Sequence, residues 1–380
     1  MQAPLYQDHQ TPHHKPQDAH AGLWFERFFN RYDSQWKLAA EDKQAWIKQT
    51  AGQIGDRSSL EKYALRQIAL VQNLQGKSQR YHSDWHFITG MGNSHPVENG
   101  FSWHPCLAVP YLSGASVKGL LRAWVEMNDE GLTEIEKKAR LKSWFGTETK
   151  EDIAEQTGDF IFFDALPNEP AELVCDIMTP HAGKWYSEGG KDEACVSHHE
   201  TVPADWHKPV PVPFLAVKRI SLVFHIAPRR AKSQSELAQL MQALTCALDY
   251  LGAGAKTAAG YGYFSEDTGF GEQLKAAQVE QQQALQEQQR QDSLSPFEQS
   301  LEALLENSQE SEHDTRLLTE LKAERWQGNE KKIVAEKIKF IMQDSKKWQP
   351  DFTGSNKKKL KLKERSLLVQ KYIDAGEKDD

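Results

Sequence analysis

Cysteine is scarce in this chain. The 380 residues hold four, at Cys106, Cys175, Cys195 and Cys246. Their spacings match no disulfide framework and no CxxC pair, which argues against a disulfide scaffold or a paired-cysteine zinc module. Long apolar runs are missing too: nothing approaches the roughly 18 residues that span a bilayer. Excess positive charge is also lacking. Lys and Arg number 46 against 54 Asp and Glu, a formal net charge of −8. A uniformly basic surface of the kind common in nucleic-acid binders is therefore excluded, although a local cluster of cations still sets the field near a phosphate. The opening residues, MQAPLYQDHQTPHHKP, show no signal-peptide pattern. These absences predict a soluble, reduced, cytoplasmic protein with no membrane partner.

What is present divides the chain. Residues 1–20 are polar and rich in His, Gln and Pro. His9, His13, His14 and His20 could bind a metal, but the composition reads as a disordered tail. Leu23, Trp24, Phe25, Phe28, Phe29, Tyr32 and Trp36 then recur at helical spacing and predict one aromatic helix face. A second helix is expected over about 59–74. Residues 81–90, YHSDWHFITG, alternate as a strand ending at Gly90. A helix follows from Ser116, a short apolar strand over 158–165, strand character over 214–227, a helix over 235–251, and a last strand at Tyr261-Gly-Tyr-Phe. The stretch 166–213 lacks periodicity and reads as a long irregular insertion, more often functional than idle. Residues 272–295 are a Gln-rich linker or helix, and 296–380 are a helical extension with a basic cluster at 357–365. The order predicts an α+β domain over 21–271 compatible with a ferredoxin-like unit, with helical additions at both ends.

Two loops carry chemical meaning. The first is Gly252-Ala-Gly-Ala-Lys-Thr-Ala-Ala-Gly-Tyr-Gly262. Its glycines let a backbone approach a phosphate, while Lys256 supplies a charge and Thr257 a hydroxyl. A nucleotide-binding P-loop is the obvious rival, but that motif needs glycines where Tyr250 and Ala255 stand, and it follows a strand rather than a helix. A ligand-free helix-to-strand turn is the plain alternative. The second runs from Gly90-Met-Gly-Asn-Ser-His to Pro110-Tyr-Leu-Ser-Gly-Ala-Ser-Val-Lys-Gly-Leu-Leu-Arg122. Ser113 or Ser116 can cap the helix. Lys118 and Arg122 lie four apart on one face near its positive end, which suits an anionic backbone. A solvated basic pair is the plain alternative here.

Together these loops resemble the RAMP superfamily of CRISPR proteins, which pairs a P-x-[ILV]-x-G-S-S-[ILV]-K-G-x-[ILV]-R segment with a late G-x-G-x-K-x-x-x-G-[FY]-G loop. Ser113 before the glycine and Ala115 in place of a serine are the departures. Gly90 to Trp103, Gly158 to Ala165, Asp176 to His181 and Pro209 to Val217 are similar to the sixth-subunit family of type III-B (Cmr) assemblies. The resemblance spans about 80–265. It implies an RRM-like (ferredoxin-like) fold, with 166–213 as a thumb-like insertion. It further implies a non-catalytic subunit binding guide RNA (crRNA) near its 3′ end, together with target RNA and other Cmr/RAMP subunits, in antiviral defence. Target cleavage would belong to another subunit. The expected RNA contacts are Gly92, Asn93, His95, Ser116, Lys118, Arg122, Gly252, Gly254, Lys256, Thr257, Gly260 and Gly262, with no cofactor and no metal.

Three rivals stand beside that reading. An endoribonuclease would need a positioned acid and base. His82, His86, His95, His104, His198 and His199, with Asp84, Asp159 and Asp164, supply candidates but no pairing defined in sequence. A zinc site could draw on Cys175, His181, Cys195 and His198, although only Cys195 and His198 are closely spaced. A scaffold docking partners through its C-terminal helices is the third.

Overall fold

The computed structural model describes residues 14–17, 19–128, 131–147, 156–188, 202, 204, 206–306 and 309–376. The chain divides into two compact units, residues 1–275 and 276–380. His9, His13, Cys195, His198 and His199 lie outside the described residues.

The first unit opens with α1 (Ala21–Arg27), α2 (Ala40–Thr50), β1 (Gly52–Ile54), α3 (Arg57–Asn73) and β2 (Lys77–Ser83). There follow α4 (Gly114–Met127), α5 (Glu134–Phe145), β3 (Phe160–Phe162), β4 (Leu166–Pro167), β5 (Ala171–Met178) and α6 (Gly183–Glu188). It continues through β6 (Val212–Val217), β7 (Ser221–Pro228), α7 (Leu237–Tyr250) and β8 (Phe264–Glu266) into α8 (Phe270–Ser293), within which the two units divide.

The main sheet is antiparallel, ordered β3-β7-β2-β8, with β4 also paired to β7. Chain order through it is β2-α4-β3-β7-α7-β8, so β2 ends up between β7 and β8, as in a split β-α-β arrangement. Every residue of β7 is buried. Leu222, Phe224 and Ile226 join the core with Val117 and Leu121 of α4 and with Leu240 and Leu244 of α7. Val223, on the opposite face, packs with Ile68 of α3 and with Phe270. A strand covered on both faces reads as a continuous apolar run, which is why Ser221 to Pro228 shows no polar alternation.

A second antiparallel sheet has the order β1-β5-β6. The strand expected over 81–90 begins earlier and breaks. β2 ends at Ser83, the Asp84 N–H donates to Tyr263 O at 2.9 Å, and Ser265 Oγ donates to the Asp84 carboxylate at 2.7 Å. The chain then crosses to the second sheet, where Phe87 pairs with Val217. Side-chain alternation stops at the break: Asp84 and Trp85 are both exposed, and Phe87, Ile88 and Thr89 are all buried. The stretch 166–213, expected to be irregular, contains β5, six residues of which pair with β6, as well as α6.

The aromatic helix also stops short. α1 ends at Arg27, and the Asp33 carboxylate accepts from the N–H groups of Gln35 and Lys37, closing a turn that competes with helix. Its aromatics still pack: Trp24 stacks on Phe28 and Trp46. His20, expected in the tail, caps α1 by accepting from Leu23 N–H and is bonded to Pro105 O at 2.9 Å.

The second unit is helical: α9 (Pro296–Glu306), α10 (His313–Lys322), α11 (Gly328–Asp344) and α12 (Lys357–Gly376). It has its own core of Leu301, Leu317, Leu321, Val334, Ile338 and Val369 with their neighbours.

Candidate nucleic-acid interface

Both motif loops attach to the segment that leaves β2. On one side, Ala255 N–H donates to Ile88 O at 2.9 Å and Gly262 N–H to His86 O at 2.8 Å. On the other, Thr89 Oγ1 donates to Tyr111 O at 2.9 Å and Ser102 N–H to Thr89 O at 3.1 Å. Five residues, 86–90, thus tie the glycine loop to the chain that enters α4. A satellite core of Ile88, Phe214, Ala216 and Tyr261, with Ala255 and Val174 against it, adds the β5–β6 hairpin to the same place.

The glycine loop is folded on itself. Gly252, Gly254, Gly260 and Gly262 all have positive φ, and Ala253 N–H donates to Gly262 O at 2.7 Å. The N–H groups of Ala253, Ala255, Ala259, Gly260 and Gly262 are taken by backbone carbonyls, so the backbone cradle is narrower than the sequence suggested. Lys256 is the exception in kind. It has φ 60° and ψ 32°, a left-handed conformation that disfavours a side chain. Its ammonium lies 5.9 Å from the Phe214 ring centroid, and among the described residues no carboxylate pairs with it. Thr257 follows it, half-buried.

The α4 end differs from expectation. Ser113 is the N-cap, accepting from Ser116 N–H at 3.2 Å. The Asp164 carboxylate accepts from Gly114 N–H at 2.7 Å, so the helix N-terminus already holds an anion. Arg122 is ion-paired with Glu126 at 2.8 Å, one turn on. Lys118 is half-buried with no carboxylate partner among the described residues, and Ser116 is exposed.

Of the remaining expected contacts, Gly92 and Asn93 are exposed, and Asn93 O accepts from Gly100 N–H at 2.9 Å to close the loop. His95 serves the fold instead. Its Nδ1 accepts from Val97 N–H, its Nε2 meets Phe25 O at 2.9 Å, and the ring stacks on Phe25. Burial lowers its pKa against the opposing hydrogen bond to Phe25, so it is held as neutral imidazole.

Sequence inspection missed one cluster. His86 Nδ1 lies 3.2 Å from Asp176 Oδ2, and the Tyr261 hydroxyl donates to the same oxygen at 2.7 Å. Burial would raise the Asp176 pKa, but hydrogen bonds from Tyr261, Ile177 N–H and His86 outweigh it and hold the carboxyl below its usual range. Burial, with the adjacent Asp176 charge, pushes the Tyr261 phenol up to about 12. Trp85 stacks on both rings. Asp176 lies 90 residues from His86 in sequence, so only an antiparallel hairpin folded against the glycine loop could reveal the pairing. Elsewhere, His82 is paired with Asp267 at 3.1 Å, His104 is buried, Asp159 is paired with Arg230 at 3.2 Å, and Cys175 is half-buried on β5.

A sequence profile described as the RAMP superfamily matches residues 82–265, which run from the end of β2 to β8 and include both loops. Residues 82–265 are a RAMP domain. The chain resembles the CRISPR system Cmr subunit Cmr6 of Pyrococcus furiosus, at 36% identity over 128 residues, 32% of this chain and 33% of that protein. Cmr6 of Saccharolobus solfataricus is 28% identical over 110 residues, 28% of this chain and 34% of that protein. The chain thus spans about a third of the length of these curated relatives. Among solved structures, a type III-B Cmr-beta complex bound to cognate target RNA contains a chain with TM-score 0.41 and 20% identity, covering 60% of this chain and 71% of that one. The crystal structure of Pyrococcus furiosus Cmr6 gives TM-score 0.29 and 19% identity, covering 50% and 98%. Both scores are below one half, and neither likeness bears on the fold. No helix among the described residues is long and apolar enough to cross a membrane.

Proposed function

We propose that this chain is a non-catalytic, guide-RNA-binding subunit of a type III-B CRISPR effector, lying near the 3′ end of the guide and contributing to assembly and target-RNA binding. In this reading the main sheet with α4 and α7 is an RRM-like (ferredoxin-like) unit, and the segment between β5 and β6 is a thumb-like insertion. Lys256 carries the reading. A lysine in a left-handed position where glycine or asparagine would sit more comfortably, among glycines and with no carboxylate partner among the described residues, suits an ammonium kept for an anion. Thr257 and Lys118 would add contacts to the RNA backbone. Sequence would be read by base pairing between guide and target, and the protein would hold backbone and shape.

Lys256→Asn tests this without disturbing the loop, because asparagine tolerates the left-handed region. RNA affinity of the assembled complex should fall, and the slope of log affinity against log salt should decrease by about one, while thermal stability stays level or rises. An unchanged slope and affinity would remove Lys256 and its loop from RNA binding. The scaffold alternative predicts partner docking that is insensitive to salt.

The Asp176–His86 pair favours a second reading, RNA cleavage. A carboxylate holding Nδ1–H leaves Nε2 as an acceptor that could take a proton from a 2′-hydroxyl. Cleavage of guide precursor or target RNA by the purified chain, abolished by His86→Ala, would replace the non-catalytic reading with this one.

A further inference from the structure

We propose that Trp85 is a stacking platform for a single unpaired RNA base, held flat by Tyr261, His86 and Asp176; the inference rests on the RNA-binding reading above. The indole ring lies nearly parallel to His86, with centroids 4.9 Å apart at 21°, and to Tyr261, at 5.5 Å and 20°. The His86 and Tyr261 centroids are only 6.1 Å from each other. Rings on opposite faces of the indole would be separated by at least two contact distances, roughly 7 Å. Both therefore lie against one face, and the other face is open: Trp85 is 51% exposed.

An exposed tryptophan alone would mean little, since single exposed apolar side chains are normal. This one is braced. The Tyr261 hydroxyl and His86 Nδ1 share one oxygen of Asp176, which fixes both backing rings. Backbone bonds fix the chain beneath: Asp84 N–H to Tyr263 O, and Gly262 N–H to His86 O at 2.8 Å. The indole thus presents a flat π face without first losing side-chain freedom.

A nucleobase is the occupant that fits. A base needs one flat face and accepts any sequence, because every base has a π face. Lys256 belongs to the same loop as Tyr261, and its ammonium lies over Phe214, whose ring is 6.1 Å from Tyr261. A cation on the loop that carries a backing ring suits a nucleotide, whose phosphate and base would then meet the same element. A protein-docking patch would need continuous apolar surface, whereas Trp85 is flanked in sequence by Asp84 and His86.

The test uses the complex isolated through a tag on the full chain, with its native RNA. Ultraviolet crosslinking should leave a nucleotide on the peptide containing Trp85. Trp85→Ala should weaken RNA binding by between about 5- and about 150-fold, the range of one lost stack, with the salt slope unchanged because no phosphate contact is lost. Trp85→Phe should retain most of the affinity. An abasic nucleotide at the crosslinked position should reproduce the loss in the wild type and add nothing in Trp85→Ala, which separates stacking from any effect on folding. RNA bound with no adduct at Trp85 and equal affinity in both variants would overturn the platform and leave the RNA-binding reading standing. Loss of a protein neighbour in Trp85→Ala with RNA retained would overturn it in favour of protein docking. A complex that carries no RNA would overturn the RNA-binding reading, and the platform with it.

Discussion

Gly254 and Gly262, set beside Gly92 of the other loop, show why the glycines matter to different degrees. Each has positive φ, and a Cβ at Gly254 would collide with the Ile88 carbonyl oxygen, one at Gly262 with that of Ala253. Gly254→Ala should therefore destabilise the protein by about 2 kcal/mol or more, as a fall in the denaturant midpoint. Gly92, also expected as an RNA contact, has open space around it and no positive φ. Gly92→Ala should change stability by no more than about 0.5 kcal/mol, and a larger loss would mean that the loop is tighter than its geometry indicates. The sequence motif does not distinguish these glycines, because it records residue type and not the dihedral or the neighbour. Another single-residue effect concerns pH. Burial lowers the His225 pKa from 6.5 to about 4, with Ser78 Oγ 2.8 Å from Nδ1. Between those values the unfolded chain binds a proton that the folded chain does not. Stability from this group is intact above pH 6.5 and falls as pH drops through the window, by ~3 kcal/mol in all. Unfolding curves from pH 7 to 4.5 should be steeper in pH for the wild type than for His225→Gln. Parallel profiles would show that the folded imidazole is not kept neutral.

At the scale of elements, amphipathic helices were legible and sheet membership was not. Val117, Leu121 and Val125 mark α4, and Leu240, Leu244 and Leu248 mark α7, because a helix facing one core repeats every three to four residues. The break in 81–90 left no such mark in the sequence, since Trp85 keeps the alternation of residue type although it is exposed and Ile88 is buried. That crossing, pinned by Asp84 between Tyr263 and Ser265, places Trp85 in solvent and His86 against Asp176. α4 teaches a related lesson. Lys118, Arg122 and a positive helix end read as an anion site, yet Asp164 and Glu126, one of them 50 residues from the cap it joins, already answer two of those charges. Under the proposed function, RNA affinity would fall mainly to the glycine loop, and Lys256→Asn should weaken binding more than Arg122→Gln when both are titrated against the same RNA.

For the whole molecule, two cores imply two folding events. The second unit buries Asp314 at 2% exposure, paired with Lys347 at 2.8 Å and with Arg365 at 3.9 Å. Lys347→Ala should leave that carboxylate poorly compensated and destabilise the unit by ~1–3 kcal/mol. Calorimetry of the full chain should resolve two transitions, with only one moved by Lys347→Ala; a single transition that moves as a whole would show one cooperative body. With a net charge of −8, the proposed RNA affinity would have to come from a few placed cations and not from overall attraction. Sequence alone determined the α+β class, the places of the main helices and the two RAMP loops, because these depend on local periodicity and on residues close together in the chain. Tertiary structure decided which sheet each strand joins, which cations are already paired, and that Trp85, His86, Asp176 and Tyr261 meet. The last of these depends on contacts between residues 85 and 90 positions apart, Tyr261 with Asp176 and His86 with Asp176, which no local pattern encodes.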